Sequence, residues 1–252
     1  MYKSPANTLF VGKNVVFVPE CHSTNTLAAQ LSQNSTVSEG TVVITRHQTA
    51  GRGQRGNTWH VQPGVNLTLS VMLTPGFLLI KDQFFLNIIT SLAVRETLVE
   101  LLSTPDISIK WPNDILVHEK KICGILIENQ LAGSSIQTSI VGIGLNVNQE
   151  NFELPNATSM LLQTNRQFEL QAVFDLLMGK IEVHYMKLRQ QKYSAEKHDY
   201  LKALYRRGEH HRFEAAGESF SGEIVGIDDA GRLAVSTGSE IEYFEVKQIR
   251  YL

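Results

Sequence analysis

Hydrophobic positions along the chain follow two rhythms, alternating and helical, and their order outlines a sheet covered by helices. Residues 14–18 form a β-branched run ended by Pro19 and read as a first, buried strand. Leu27, Ala28, Ala29 and Leu31 then open a helix, with Ser23, Thr24 and Asn25 before it as candidate N-caps. Strands follow at 41–45 and 65–73. Over 84–102, Phe85, Ile88, Leu92, Val99 and Leu102 recur at helical spacing, which predicts a long amphipathic helix packed on the sheet. Residues 107–117 are two β-rich halves interrupted by Pro112, whose missing N–H breaks the ladder. Further strands cover 122–128 and 139–147, after turns at 119–121 and 132–135. Leu170, Val173, Phe174, Leu177, Ile181, Tyr185 and Leu188 mark a helix of about six turns, and a shorter helix covers 195–206.

From His211 the rhythm shortens to alternating strands with turns at Gly217, 229–231 and 237–239. The chain therefore divides into residues 1–207 and a module of 208–252, a small barrel that depends on docking against its neighbour.

Composition narrows the class. At 252 residues with 42% hydrophobic and 19% charged residues, the chain has material for a real core and is not globally disordered. A net charge of −2 gives no support to nucleic-acid binding as its main business. Two cysteines, Cys21 and Cys123, with no secretory apolar stretch at the start, point to free thiols in a reducing cytosol. Apolar runs such as 86–94 fall well short of the roughly 18 residues that span a bilayer.

Candidate chemistry begins in the loop 48–59, Q-T-A-G-R-G-Q-R-G-N-T-W, held between two strands. Gly51 and Gly53 allow close backbone approach, and Arg52 and Arg55 offer forks of donors suited to carboxylate or phosphate; a solvated surface turn is the plainer reading. Ser23, Thr24 and Asn25 either cap a helix or, with its free N–H groups, also hold the polar end of a small molecule. The K-W-P-N-D segment places Asn113 and Asp114 in a turn flanked by Lys110. Lys121 stands at the mouth of a strand containing Gly124, either solvated or aimed along the sheet. Gly142 and Gly144 share one face of the next strand, so the two strands leave a glycine-lined gap suited to a flat or narrow ligand. His198, His210 and His211 lack carboxylate or cysteine partners at ligand spacing.

Taken together, Ser23-Thr24-Asn25, G-R-G-Q-R-G, K-W-P-N-D, K-I-C-G-I-L and G-I-G-L-N-V-N, in this order, resemble the biotin protein ligases. The resemblance implies an α+β fold: a mixed β-sheet with helices on one face, like class II aminoacyl-tRNA synthetases, and a small C-terminal SH3-like β-barrel. It implies ATP and biotin as substrates with Mg2+, formation of biotinyl-5′-AMP, and transfer of biotin to a lysine of a biotin carboxyl carrier protein. Ser23, Thr24 and Asn25 would hold the ureido ring, with Gln48, Gly51, Arg52, Gly53 and Gln54 beside Gly124, Gly142 and Gly144. Lys121 would bridge the biotin carboxylate and the α-phosphate, and Lys110 would add positive potential. Asn113 and Asp114 would lie by phosphate and ribose, and Asn146 and Trp59 near adenine, although Trp59 reads equally well as core. At about 4 Å and an effective dielectric near 20, one unit charge pair is worth roughly 4 kcal/mol, so misplacing one lysine would be costly.

One departure stands in the loop. Many members of the family carry a second arginine where this chain has Gln54, and Arg55 is the candidate substitute. Some members also carry an N-terminal helix-turn-helix domain and repress transcription. Here the Ser23 cap lies within the first strand and helix, so the expectation is the short form lacking that domain, cytoplasmic, without operator binding or membrane attachment, and compatible with a homodimer. Two rivals share parts of this pattern: a lipoate ligase or octanoyl transferase of the same fold, and a non-catalytic biotin or nucleotide sensor. Transfer through a thioester would need a reactive thiol, and Cys123, between Ile122 and Ile125, reads as an inert buried one.

Overall fold

The computed structural model describes residues 2–34, 37–104 and 106–252, with all their side chains except those of Asn34 and Arg55. The elements in chain order are β1 (Val15–Cys21), α1 (Thr24–Asn34), β2 (Val42–Gln48), β3 (Leu67–Leu73), α2 (Phe85–Leu102), β4 (Ile107–Lys110), β5 (Asp114–Val117), β6 (Lys120–Ala132) and β7 (Ser135–Leu145). There follow α3 (Met160–Thr164), α4 (Leu170–Arg189), α5 (Tyr193–Ala203), β8 (His210–Ala215), β9 (Glu218–Ile227), β10 (Leu233–Ser236), β11 (Ile241–Phe244) and β12 (Ile249–Tyr251). Seven strands make a mixed sheet in the order β1-β2-β3-β7-β6-β5-β4, in which only β1 and β2 pair in parallel.

Alternation sorts the strand side chains to two faces. Val42, Ile44, Val71, Val141 and Ile143 join the main core with α2 and α4, while Val43, Met72 and Ile140 pack against Ala28 of α1. So α2, α4 and α5 crowd one face, and α1 alone begins to cover the other. That second face carries Gly142 and Gly144, and there α1 presents its N-terminus to the sheet.

Three local expectations change. Strand β1 runs through Pro19 to Cys21 and is only half buried, because it is the sheet edge, where a proline has no second neighbour to bond. Helix α2 is buried on most sides rather than along one stripe, lying between sheet and helices; its buried Thr90 and Thr97 donate their hydroxyls to the carbonyls of Leu86 and Ala93, at 2.7 and 2.8 Å. The turn before β6 is His118–Glu119, both at positive φ, so Lys121 belongs to the strand.

The last five strands form an antiparallel sheet, β11-β10-β9-β8-β12, around Phe213, Ile224, Leu233, Val235 and Phe244, in keeping with an SH3-like module. Its docking is specific. Trp111 donates its indole N–H to the Gly231 carbonyl at 2.8 Å, Lys197 Nζ donates to Asp229 at 3.0 Å, and Gly231, at φ +84°, packs so closely on Phe84 that a Cβ there would overlap the ring. We propose residues 1–207 and 208–252 as the two domains; Gly208, at φ +79°, turns the chain between them.

Candidate active site

Cross-strand register builds the floor of the site. Asp114 lies opposite Gly124, Gly124 opposite Gly144, and Gly144 opposite Thr68, so one row of the sheet carries a carboxylate, two bare backbones and a hydroxyl. In the next row Gly142 faces Ser70. Above this floor is a cavity of about 310 Å³ lined by residues of α1, the loop after β2, the β4–β5 hairpin and β12.

One end of the cavity is polar. Thr24 N–H donates to Gln48 Oε1 at 2.7 Å, Ser70 Oγ lies 2.7 Å from Thr24 Oγ1, and Ser70 donates to Asn25 Oδ1 at 2.6 Å. Asn25 Nδ2 in turn donates to Glu128 at 2.7 Å and to the Leu126 carbonyl at 3.2 Å. Both N–H groups of Asn25 are thus engaged, and a Cβ on Gly142 would overlap its carboxamide. Asn25 therefore shapes the slot more than it offers itself to a ligand. Ser23 Oγ and Gln48 Nε2 have no partner among the described residues and remain available.

Cations stand at both ends. At the polar end Arg52 pairs with the same Glu128 oxygen that Asn25 bonds, at 2.8 Å, and at the other end Lys121 pairs with Asp114 at 2.7 Å. A β-bulge explains the aim of Lys121: its backbone bonds Asn156 and Thr158 (2.7 and 2.9 Å) where the pairing with β5 shifts register, and the side chain turns into the cavity. Lys110 also lines the cavity. Burial pushes its pKa down, Asp114 works against that, and Arg206 and Lys121 add to it. Asn113 lines the cavity beside them, its Nδ2 held by the Ile125 carbonyl.

The loop itself is a small hairpin. Arg52 and Thr58 bridge, Gly53 N–H bonds the Asn57 carbonyl at 2.7 Å, and Gln54–Gly56 is a single 3-10 turn. Trp59 folds inward so that its indole covers Gly144 and Gly124, 5.4 Å from the Lys121 ammonium, and its Nε1 is buried without a partner. It fills the glycine-lined gap and is no part of the main core, which leaves a donor for a ligand.

The cavity lining thus brings together Ser23, Thr24, Asn25, Gln48, Arg52, Gly53, Gln54, Trp59, Lys110, Asn113, Asp114, Lys121, Gly124, Gly142 and Gly144. Gly51 and Asn146 stand outside it. Gly51 is packed beneath Trp59, where a Cβ would overlap the Trp59 carbonyl. Asn146 donates to the Thr158 carbonyl at 3.0 Å and so holds the segment that fixes the Lys121 backbone, acting from behind the site. The role expected of Arg55 concerns a side chain outside the described residues. Among the described residues no cluster of three or more His, Cys, Asp or Glu could hold a metal, and no helix is long and apolar enough to cross a membrane.

Sequence reasoning missed Ser70, Glu128 and the wall made by Ile249, Arg250 and Tyr251 of β12. The polar positions Thr68 and Ser70 inside an otherwise apolar strand, and the acid closing I-L-I-E, were the available signals for the first two. Nothing in the local pattern of 249–251 marks that strand as part of a cavity.

A slot with hydrogen-bonding groups and Arg52 at one end, Lys121 at the other and a small barrel as its far wall is a site for a ligand that carries polar groups at one end and negative charge at the other. Residues 18–146 match the model of the biotin/lipoate A/B protein ligase family. The chain is 30% identical over 240 residues to the bifunctional ligase/repressor BirA of Bacillus spizizenii, covering 93% of this chain and 73% of that one. It is also 30% identical over 226 residues to the biotin–[acetyl-CoA-carboxylase] ligase of Mycobacterium tuberculosis, covering 88% and 82%. The biotin protein ligase of Aquifex aeolicus, solved with biotin and ATP, superposes with a TM-score of 0.79 at 28% identity, over 95% of this chain and all of that one. The chain belongs to the biotin/lipoate A/B protein ligase family, and within it to the biotin protein ligases.

Proposed function

We propose that this biotin–[acetyl-CoA-carboxylase] ligase works in two steps in the cytoplasm. The biotin carboxylate attacks the α-phosphorus of ATP, releasing pyrophosphate and leaving biotinyl-5′-AMP. A lysine of a biotin carboxyl carrier protein then attacks the acyl carbon and releases AMP.

The observation that carries this reading is the polarity of the slot. Ser23, Thr24 and Gln48 would present hydroxyl and amide groups to a ligand that displaces the Trp59 indole from Gly144, as a cyclic urea requires. An alkyl chain or dithiolane would leave those buried groups unpaired, which sites of this kind reject strongly. Lys121 lies where the acid end of such a ligand must emerge, and there it would bridge carboxylate and α-phosphate. Arg52, Lys110 and Arg55 would add fixed positive charge, and neither step needs an enzyme nucleophile. Asn113, Asp114 and Trp59 would contact the nucleotide, and Gln54 the adenylate. Magnesium would arrive with the triphosphate and neutralise part of its charge; Asp114 is the carboxylate in the described lining, in keeping with an ion held largely by phosphates and water.

Cys123 is fully buried and its burial pushes the thiol well above the ordinary range, against the thioester route of an octanoyl transferase. Incubation with biotin, MgATP and a biotinyl-domain protein should add one biotin to one lysine, read by mass spectrometry, and Lys121→Ala should abolish it. Biotin-dependent ATP–pyrophosphate exchange separates an enzyme from a sensor. Equal transfer of lipoate or octanoate would sink the proposal.

A further inference from the structure

Lys121, Arg52 and Arg250 of the cavity lining each pair with a carboxylate; Lys110 feels Asp114 nearby but makes no ion pair. Among the described residues no carboxylate lies within ion-pair distance of its ammonium, which stands 4.7 Å from the centroid of the Tyr251 ring. Tyr251 belongs to β12, in the C-terminal module, and lines the cavity. Its hydroxyl is buried without a hydrogen-bond partner, so the face of the ring is what it offers. The ring is itself fixed: it meets Phe213 edge-on at 5.5 Å, lies 6.2 Å from Tyr205, and its backbone pairs with Phe213 across the sheet.

The choice of partner has a chemical consequence. A carboxylate would compete with an incoming anion for the ammonium. A π face steadies the charge without neutralising it and leaves the outward N–H groups for other acceptors. We propose that Tyr251 is a positioning residue, its ring holding the Lys110 ammonium toward the cavity so that it meets the phosphates of the nucleotide. The inference rests on the reading of the cavity as a nucleotide site. It makes the C-terminal module part of the phosphate-binding apparatus through one side chain.

The test is a double-mutant cycle read by MgATP titration calorimetry and by biotin-dependent ATP–pyrophosphate exchange. Tyr251→Leu should raise the MgATP Kd and KM roughly 3- to 30-fold, the range of a desolvated cation–π contact, with biotin affinity unmoved. Tyr251→Phe should recover most of that loss. In a Lys110→Ala background, Tyr251→Leu should add less than about twofold. Equal losses with and without Lys110, or a Phe variant no better than Leu, would overturn the inference. A readout that does not depend on the variants folding is the wild-type NMR spectrum, where ring current should move the Lys110 Hε protons upfield; ordinary shifts would also overturn it. A wild type that binds MgATP without exchange would remove the ligase reading and leave Tyr251 to the cycle, and one that binds no MgATP would overturn both.

Discussion

Gly142→Ala tests whether the slot is as tightly defined as its hydrogen bonds imply. A Cβ at this position would overlap Asn25 Oδ1, with Cγ at 3.0 Å and the Leu126 carbonyl oxygen at 3.1 Å. Ordinary carbon contacts lie near 3.5–4.0 Å, so something must move. The strand cannot shift easily, because Gly142 sits inside β7 with β3 and β6 on either side. Asn25 must yield, and it is held by Ser70 at 2.6 Å and by the Glu128 carboxylate at 2.7 Å. Losing a neutral bond costs about 1 kcal/mol and a charge-assisted one about 1.5–3, so the substitution should destabilise the fold by about 2–4 kcal/mol. For a chain of this size that lowers Tm by roughly 4–16 °C. Biotin binding should weaken at least tenfold, since the displaced carboxamide enters the slot. Gly76→Ala, with no atom within 4 Å of its added Cβ, is the control. Thermal denaturation and biotin titration measure both effects, and a Gly142→Ala protein matching Gly76→Ala in both would show that Asn25 is not locked.

Trp111→Phe removes the indole N–H from the Gly231 carbonyl and should cost about 1–3 kcal/mol, read as faster hydrogen exchange over 228–232; unchanged exchange there would mean the modules dock by other contacts. Cys123→Ala should keep turnover within about twofold with a stability loss near 1 kcal/mol, and a folded but inactive variant would revive a thioester route. Biotinyl-adenylate should protect the 52–58 hairpin from protease, and equal cleavage with and without it would end its role as a lid. A pH-dependent stability is built in far from the site, where α2, α4 and α5 bury His184 between Glu196 at 2.5 Å and Glu96 at 3.1 Å, with Lys187 and Lys180 around them. Burial opposes the imidazolium but the two carboxylates outweigh it and raise its pKa above 6.5, so its contribution is whole below that value and fades as pH rises through the raised one. Glu96 is lowered chiefly by its bond from His184, and Glu196 by the same imidazole against its own burial, so their contributions are present above about 4.5 and fade as pH falls through the lowered values. Tm should peak between these limits, and a His184→Gln protein with an unaltered alkaline limb would refute the assignment.

What the sequence discloses here follows from the range of each interaction. The strands of the main sheet were legible because β-branched runs and alternation are local, and a glycine-lined gap followed from two glycine-bearing strands joined by one turn, although the register that sets Gly124 opposite Gly144 did not. Pro19 misled because position at a sheet edge is a property of the whole sheet. The deep burial of α2 has the same origin, since a second layer of helices covers the side that a single-stripe pattern leaves to water. The bulge that aims Lys121 depends on bonds from 156 and 158, more than thirty residues on, and Tyr251 reaches Lys110 from the far end of the chain.

The paired state of Lys121 and Arg52 changes the energetics expected of the site. Taken alone, a lysine meeting a phosphate at about 4 Å is worth roughly 4 kcal/mol. Lys121 and Arg52 are not alone: each is already bonded to a carboxylate, and the four side chains are between 27% and 47% exposed. Pairs of that exposure are worth only about 0–1 kcal/mol, so an entering carboxylate or phosphate exchanges one weak partner for another and gains mainly by excluding water around the new pair. Selection for a doubly anionic reactant then falls on geometry, on Lys121 reaching two oxygens at once, more than on bulk positive potential. Asp114→Asn should therefore tighten binding of the anionic product pyrophosphate or leave it unchanged, while lowering the rate of adenylate formation because Lys121 loses the group that sets its resting position. A variant with weakened pyrophosphate inhibition and an unaltered rate would show that Asp114 acts on the substrate directly and not through Lys121.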